Sequence, residues 1–222
     1  MRTAILLITL ISIPFTAFAA DKPKTSKEQI SYTLGVQLGQ NFKQDNIDLD
    51  VDQFTQALKD VLQGRPSKLT EQEMQQAMIT LRNQKQQEMA ALAEKNKKAG
   101  DAFLAKNRKA KGIQETASGL QYKVLKAGTG PKPTTSNTVT VNYRGTLIDG
   151  TEFDSSYKRG QPATFPVQGV IPGWQEALQL MSKGSKWMVY IPSNLAYGPR
   201  AASPLIGPNA TLVFEVELLD VK

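Results

Sequence analysis

The sequence predicts an α+β protein. An antiparallel sheet closes on one short helix, and it is preceded by an all-α N-terminal region and a long linking helix. Three observations predict it. Apolar residues recur at three- and four-residue spacing from Ile30 to Leu81. A run rich in helix formers and nearly polar all round follows, up to Lys111. From Ile113 the period drops to two, with a single helical stretch from Trp174 to Met181.

The chain opens "MRTAILLITLISIPFTAFAADKPK". Arg2, an apolar run from Ala4 to Ile13 and the small-x-small site Ala17-Phe18-Ala19 read as a secretory signal peptide over residues 1–19, cleaved after Ala19. A retained N-terminal anchor is the alternative, but the apolar run before Pro14 is short for a bilayer span. No cysteine follows it, so a lipid-anchored form is excluded. Export follows, with the periplasm as the expected place and the outer membrane or cell surface as further destinations of a peripheral kind.

Residues 20–69 are expected to form two short helices. Ser26 with Gln29 and Asp50 with Gln53 fit the capping-box pattern, as does Thr70 with Glu73 for a third helix. The first helix carries Ile30, Leu34, Leu38 and Phe42, the second Val51, Phe54, Leu58 and Val61. Two short amphipathic helices cannot bury both stripes on each other. A second copy is the simplest cover, so a homodimer through residues 26–80 is expected. The third helix, residues 70–112, begins with apolar Met74, Met78 and Leu81 and then loses its stripe. A helix polar all round bridges through solvent. Gly100 is a site for a bend, and two helices broken there are the alternative.

Residues 113–222 alternate. Leu120, Tyr122 and Val124 share one face of a strand, and Val139, Val141 and Tyr143 share one face of the next. Asp149-Gly150 is a hairpin turn into "TEFDSS". "SKWMVYIPS" supplies a further strand, and Leu212, Phe214, Val216 and Leu218 alternate on the last.

Composition narrows the chemistry. The 222 residues contain no cysteine and no histidine. Disulfides, thiolate nucleophiles, histidine-based triads and the common zinc sites are excluded, and any chemistry uses carboxylates, Tyr, Lys, or no proton transfer at all. The formal charge is +7, with much of the excess between Lys95 and Lys111. In an exported protein that run reads as a solvated helix face rather than a nucleic-acid site. No metal site and no cofactor are expected.

A sheet backed by one helix offers one concave face, and the aromatic residues fall where they line it. Tyr197, Leu205 and Ile206 lie in Pro/Gly-rich loops, where large side chains are not needed for sheet packing. The blocks "VNYRGTLIDGTEFDSSYKRGQP", "VIPGWQEAL", "IPSNLAYGPR" and "NATLVFEVELLDV" resemble, in order and spacing, those of FKBP-type peptidyl-prolyl cis-trans isomerases, over residues 118–222. The arrangement before them is similar to the macrophage infectivity potentiator subgroup of Gram-negative bacteria.

The resemblance implies an FKBP-like fold and an isomerase pocket built from Tyr143, Phe153, Asp154, Arg159, Val170, Ile171, Trp174, Tyr197, Leu205, Ile206 and Phe214. Trp174 is the floor, and Asp154, Tyr197 and Phe153 carry the catalytic role. Arg159 steadies Asp154, the alternative being a surface ion pair of little energetic value. Ala163 stands where human-type members have a pocket phenylalanine, which implies a pocket wider on one side, and the flap "GPRAASPLIGPN" has no histidine. Proline-containing polypeptides are the implied clients, and macrolides of the rapamycin class the implied inhibitors. The chemistry needs no covalent step: an apolar pocket favours the twisted amide over the planar, charge-separated one. Tyr197 and the Ile206 backbone are expected to bond the substrate main chain, with Asp154 shaping the field at the twisting carbonyl. A holdase chaperone, with two pockets on dimeric helical arms, is the alternative reading.

Overall fold

The structure is a computed structural model that describes residues 22–222. The signal-peptide segment and its cleavage site lie outside the described residues. Contacts divide the chain into two units between Ser67 and Lys68.

The first unit contains helices α1 (Ser26–Gln44) and α2 (Val51–Leu62). The cap of α1 falls one residue before its expected place, on Thr25. The Glu28 carboxylate accepts from the Thr25 N–H at 3.1 Å and the Lys24 N–H at 2.8 Å, while Thr25 Oγ1 accepts from the Glu28 N–H at 3.2 Å. An ionised carboxylate bonds these donors more strongly than the amide of Gln29 and also suits the positive end of the helix. Asp50 caps α2 through the Gln53 N–H at 2.9 Å. Phe42 and Phe54 meet edge to face with centroids 5.5 Å apart. Ile30, Leu34, Leu38, Val51, Leu58 and Val61 stay exposed.

The second unit begins with α3 (Glu71–Asn107), opened by the Thr70–Glu73 capping box and unbroken through Gly100. The sequence reading set residues 70–112 apart as a solvent-bridging helix. Instead, the C-terminal half of α3 lies on the sheet that follows. Ala93, Asn96, Gly100, Phe103, Leu104 and Asn107 fall on one helical face and are less exposed than their neighbours. The stripe escapes a hydrophobicity reading because polar and small residues compose most of it. Gly100 is a contact rather than a hinge: a Cβ there would stand 2.2 Å from Thr211 Oγ1. Gln121 is fully buried beneath the helix. Its Nε2 donates to Leu104 O at 3.0 Å, and its Oε1 accepts from Asn107 Nδ2 at 2.9 Å.

Strands β1 (Gln114–Glu115), β2 (Gln121–Lys126), β3 (Thr138–Leu147), β4 (Glu152–Ser155), β5 (Ala163–Pro166), β6 (Lys186–Ile191) and β7 (Leu212–Val221) form one antiparallel sheet. Their order is β1-β2-β6-β7-β3-β4, with β5 also pairing β3. The expected face of β3 is buried at Val139, Val141 and Tyr143, and that of β7 at Leu212, Phe214, Val216 and Leu218. Leu120, just before β2, and Tyr122 on it pack inward but Val124 is exposed, and Tyr122 stacks on Trp187 at 4.4 Å.

Helix α4 (Pro172–Leu180) crosses the concave face and buries Trp174, Ala177 and Leu178 against it. Pro172 sits in the first turn, where its ring presets the helical φ and no amide donor is lost. Gly173 follows because the helix rests on Ile191. A Cβ at that position would lie 2.4 Å from Ile191 Cγ2. The Pro-Gly break thus lets α4 approach the sheet closely enough for Trp174 to reach into the concavity.

Candidate active site

Above α4, at the open end of the concave face, lies a cavity of about 300 Å³. Tyr143, Phe153, Asp154, Val170, Ile171, Trp174, Tyr197 and Phe214 line it, as the resemblance implied, together with Phe165 and Gly169. Strand β3 supplies Tyr143, β4 supplies Phe153 and Asp154, and β7 supplies Phe214. The loop before α4 brings Val170 and Ile171.

Trp174 is the hub of the aromatic packing. Tyr143 meets it edge to face at 5.3 Å and 89°, Phe214 at 5.2 Å and 84°, and Phe165 at 6.1 Å and 87°. Phe153 extends the set through Phe214 at 5.5 Å. Perpendicular rings set electropositive edges against electronegative faces, so the walls are rigid without being flat. Gly145, opposite Phe214 on β3, makes room for two of them. A Cβ there would stand 2.6–2.7 Å from the Phe153 and Phe214 rings. Trp174 Nε1 is buried without a hydrogen-bond partner among the described residues.

The rim carries an ionised carboxylate. Asp154 Oδ2 accepts from the Tyr143 hydroxyl, and Oδ1 accepts from Arg159 and from the Ser155 N–H at 2.8 Å. Arg159 Nη2 also donates to the Tyr143 hydroxyl at 2.7 Å, with the guanidinium 5.3 Å from the Tyr143 ring centre. Burial pushes the Asp154 carboxyl up, but the bonds from Tyr143 and Arg159 together outweigh it and hold it below the usual range. Burial, aided by the bond to Asp154, pushes the Tyr143 hydroxyl up. Its proton therefore stays in place through neutral and mildly basic pH.

Gln175 holds the wall from behind. Its Nε2 donates to Val170 O at 2.7 Å, tying the Val170–Ile171 segment to the first turn of α4. The N–H groups of Trp174 and Gln175 bond Ile171 O at 2.9 and 3.1 Å.

Three expected pocket residues lie elsewhere. Arg159 stands behind Asp154 and does not line the cavity. Leu205 is 50% exposed and lines a separate cavity of about 240 Å³ with Leu92 and Asn96 of α3. Ile206 is buried, and the loop turns back on itself there. Its N–H donates to Ser203 O and Oγ, both at 3.1 Å, and its carbonyl accepts from the Ala202 N–H at 2.9 Å. The Ile206 backbone, expected to bond substrate, is therefore engaged within its own loop.

On the side of Ala163 the cavity has a further aromatic wall. Ala163 and Phe165 share one face of β5, and Phe165 fills that side, 6.1 Å from both Tyr143 and Trp174. Counting two residues on from Ala163 along the strand finds it. Gly169 and Gln175 were missed as well, and no sequence pattern marked them.

Comparisons with known proteins agree with this geometry. Residues 130–219 match the family model described as FKBP-type peptidyl-prolyl cis-trans isomerase. Residues 27–124 match the domain amino terminal to FKBP-type peptidyl-prolyl isomerase. The chain is 46% identical to the outer membrane protein MIP of Legionella longbeachae, over 99% of this chain and 96% of that one. It is 46% identical to the peptidyl-prolyl cis-trans isomerase Mip of Coxiella burnetii, over 93% of this chain and 92% of that one. The crystal structure of FkpA from Escherichia coli superposes with a TM-score of 0.65 at 42% identity, covering 90% of this chain and 98% of that one. A helical N-terminal domain followed by an isomerase domain is thus the shared arrangement, and the chain belongs to the FKBP-type peptidyl-prolyl cis-trans isomerases.

Proposed function

We propose that the chain is exported and speeds rotation about X–Pro bonds of client polypeptides at the Trp174 cavity. The observation that carries this is the perpendicular packing of Tyr143, Phe165 and Phe214 around Trp174, with one ionised carboxylate at the rim. A prolyl ring enters between Phe153, Phe214 and Tyr143 and rests on the indole. The barrier it must cross is about 18–20 kcal/mol, and it arises from amide resonance. Twisting the amide removes that resonance and with it part of the charge on oxygen. Apolar walls cannot hydrate the planar form, so they favour the twisted one. Asp154 acts as a fixed field beside the carbonyl rather than as a proton carrier, since Tyr143 and Arg159 keep it ionised. Main-chain bonds to substrate come from the Tyr197 hydroxyl and from the Ile171 N–H, which has no intramolecular acceptor among the described residues.

The second part of the proposal concerns assembly. The exposed Ile30, Leu34 and Leu38 of α1 and Val51, Leu58 and Val61 of α2 are more apolar surface than two helices leave open to water. A second copy covers them, and a dimer holding two pockets would retain unfolded clients as a holdase. Among the described residues no helix is long and apolar enough to cross a membrane. The relative named an outer membrane protein supports a peripheral association with that surface. The test is a proline-limited refolding assay on the chain from Ala20 onward. The rate should rise with enzyme and fall when rapamycin is added, and no acceleration would sink the reading.

A further inference from the structure

Tyr197 is 45% exposed, so the backbone beneath it sets where its hydroxyl stands. That backbone is tied across the loop, where the Gly198 carbonyl accepts from the Asn209 N–H at 2.7 Å. The far side of the loop is in turn seated on α3. Asn96 Nδ2 donates to the carbonyl of the fully buried Pro208 at 2.8 Å. Asn209, held at φ 54°, reaches Ala93 O with its side chain at 3.4 Å. Next to them, Gly207 lies against Asn96 and Leu92, and Thr211 against Gly100. Three successive turns of α3 thus touch one five-residue segment, and that segment bonds the residue after Tyr197.

We propose that Asn96 of α3 is a positioning residue for the isomerase site, acting on Tyr197 through Pro208, Asn209 and Gly198. The helix before the catalytic domain then forms part of the machinery of the pocket. Asn96 never meets the substrate. It fixes the height of the loop, and the loop fixes the Tyr197 hydroxyl. The geometry is specific to this stretch of helix. Asn107, three turns further on, also bonds the domain, but at Gln121 and away from the pocket loop.

That difference supplies the test, which rests on the Trp174 cavity being the isomerase site. kcat/KM on a prolyl tetrapeptide is measured for the full mature chain, together with melting temperature. Asn96→Ala should lower kcat/KM by about fivefold, the size of one hydrogen bond, while Asn107→Ala lowers melting at least as much and leaves kcat/KM unchanged. In a Tyr197→Ala background, Asn96→Ala should have no further effect, because both changes act on one element. Should Asn96→Ala not fold, Asn209→Gly removes the neighbouring bond to Ala93 while keeping the positive φ. An Asn96→Ala enzyme as active as wild type overturns the inference. So does equal loss in Asn107→Ala, or additive loss with Tyr197→Ala. A wild-type chain with no isomerase activity overturns the reading of the cavity as well.

Discussion

Asp154 is half exposed, yet it accepts three bonds and faces an arginine, and this sets how the site responds to acid. Its folded pKa lies below the ordinary value of about 3.9, so the stability the ion pair contributes is present above that value and is lost as pH falls through the folded one. With Tyr143 shifted upward and no histidine in the chain, nothing in the pocket titrates near neutrality. We expect kcat/KM to be flat from about pH 5 to pH 9. Arg159→Lys should raise the acid limb, because an ammonium cannot bond Asp154 and Tyr143 in the fork geometry of a guanidinium. A pH–rate profile of the two enzymes checks both statements. Asp154→Leu should cost about tenfold or more in kcat/KM on a tetrapeptide, and an unchanged rate would rule out its role in the field. Trp174→Ala should cost about 3–5 kcal/mol of stability and lower prolyl-peptide affinity beyond the loss of folded protein. At this scale the sequence was informative for rings on long alternating strands, such as Tyr143 and Phe214. It was silent at Phe165, because the short strand β5 gave too few alternations to show that this ring shares a face with Ala163.

Helix α3 shows what an element-level reading misses. Its contact stripe includes Ala93, Asn96, Gly100 and Asn107, small or polar residues that give no apolar periodicity, while the capping box at Thr70 was plain because it depends on side-chain chemistry alone. The buried Gln121 was invisible for the same reason, since its two bonds to α3 join residues more than ten positions apart. Gly100→Ala separates the two accounts of that glycine. Helix propensity alone favours alanine by about 1 kcal/mol. The approach of Thr211 opposes it, so we expect a lower melting temperature, restored when Thr211→Gly is added to make room. A rise in melting temperature for the single variant would show the helix to be loose at this point. Gln121→Leu should cost about 1–3 kcal/mol, because Asn107 and Glu115 lose a buried partner.

For the molecule as a whole, the place where the chain is cut decides what is learned. Removing residues 20–112 would strip Leu104 and Gly100 from the sheet and bare Gln121, so loss of function there would confound assembly with folding. Beginning at Lys68 keeps α3 seated. We expect that shorter protein to sediment as a monomer, to keep its isomerase rate on peptides, and to lose suppression of client aggregation, whereas the chain from Ala20 sediments as a dimer. A monomeric full chain would sink the assembly proposal. Among the described residues the order and class of the longer elements were legible because periodicity changes sharply at Ile113, whereas the short strands β1 and β5 were not. The end of the first helical region, expected at residue 69, also falls close to the division at Ser67, but the seating of α3 on the sheet was not legible, since it depends on which surface α3 packs against and not on its own composition. That packing carries a consequence for geometry at a distance. Gly100 admits Thr211 at one rotational setting only, so the helix is keyed like a shaft. From Glu71 to Asn107 it is about 55 Å long, turning about 100° per residue. One residue inserted before Leu92 would swing the Glu71 end through about 100° of azimuth, whereas seven would miss the original bearing by only about 20°. The bearing of the chain leaving Glu71 is therefore set by the count of residues between that point and a single glycine.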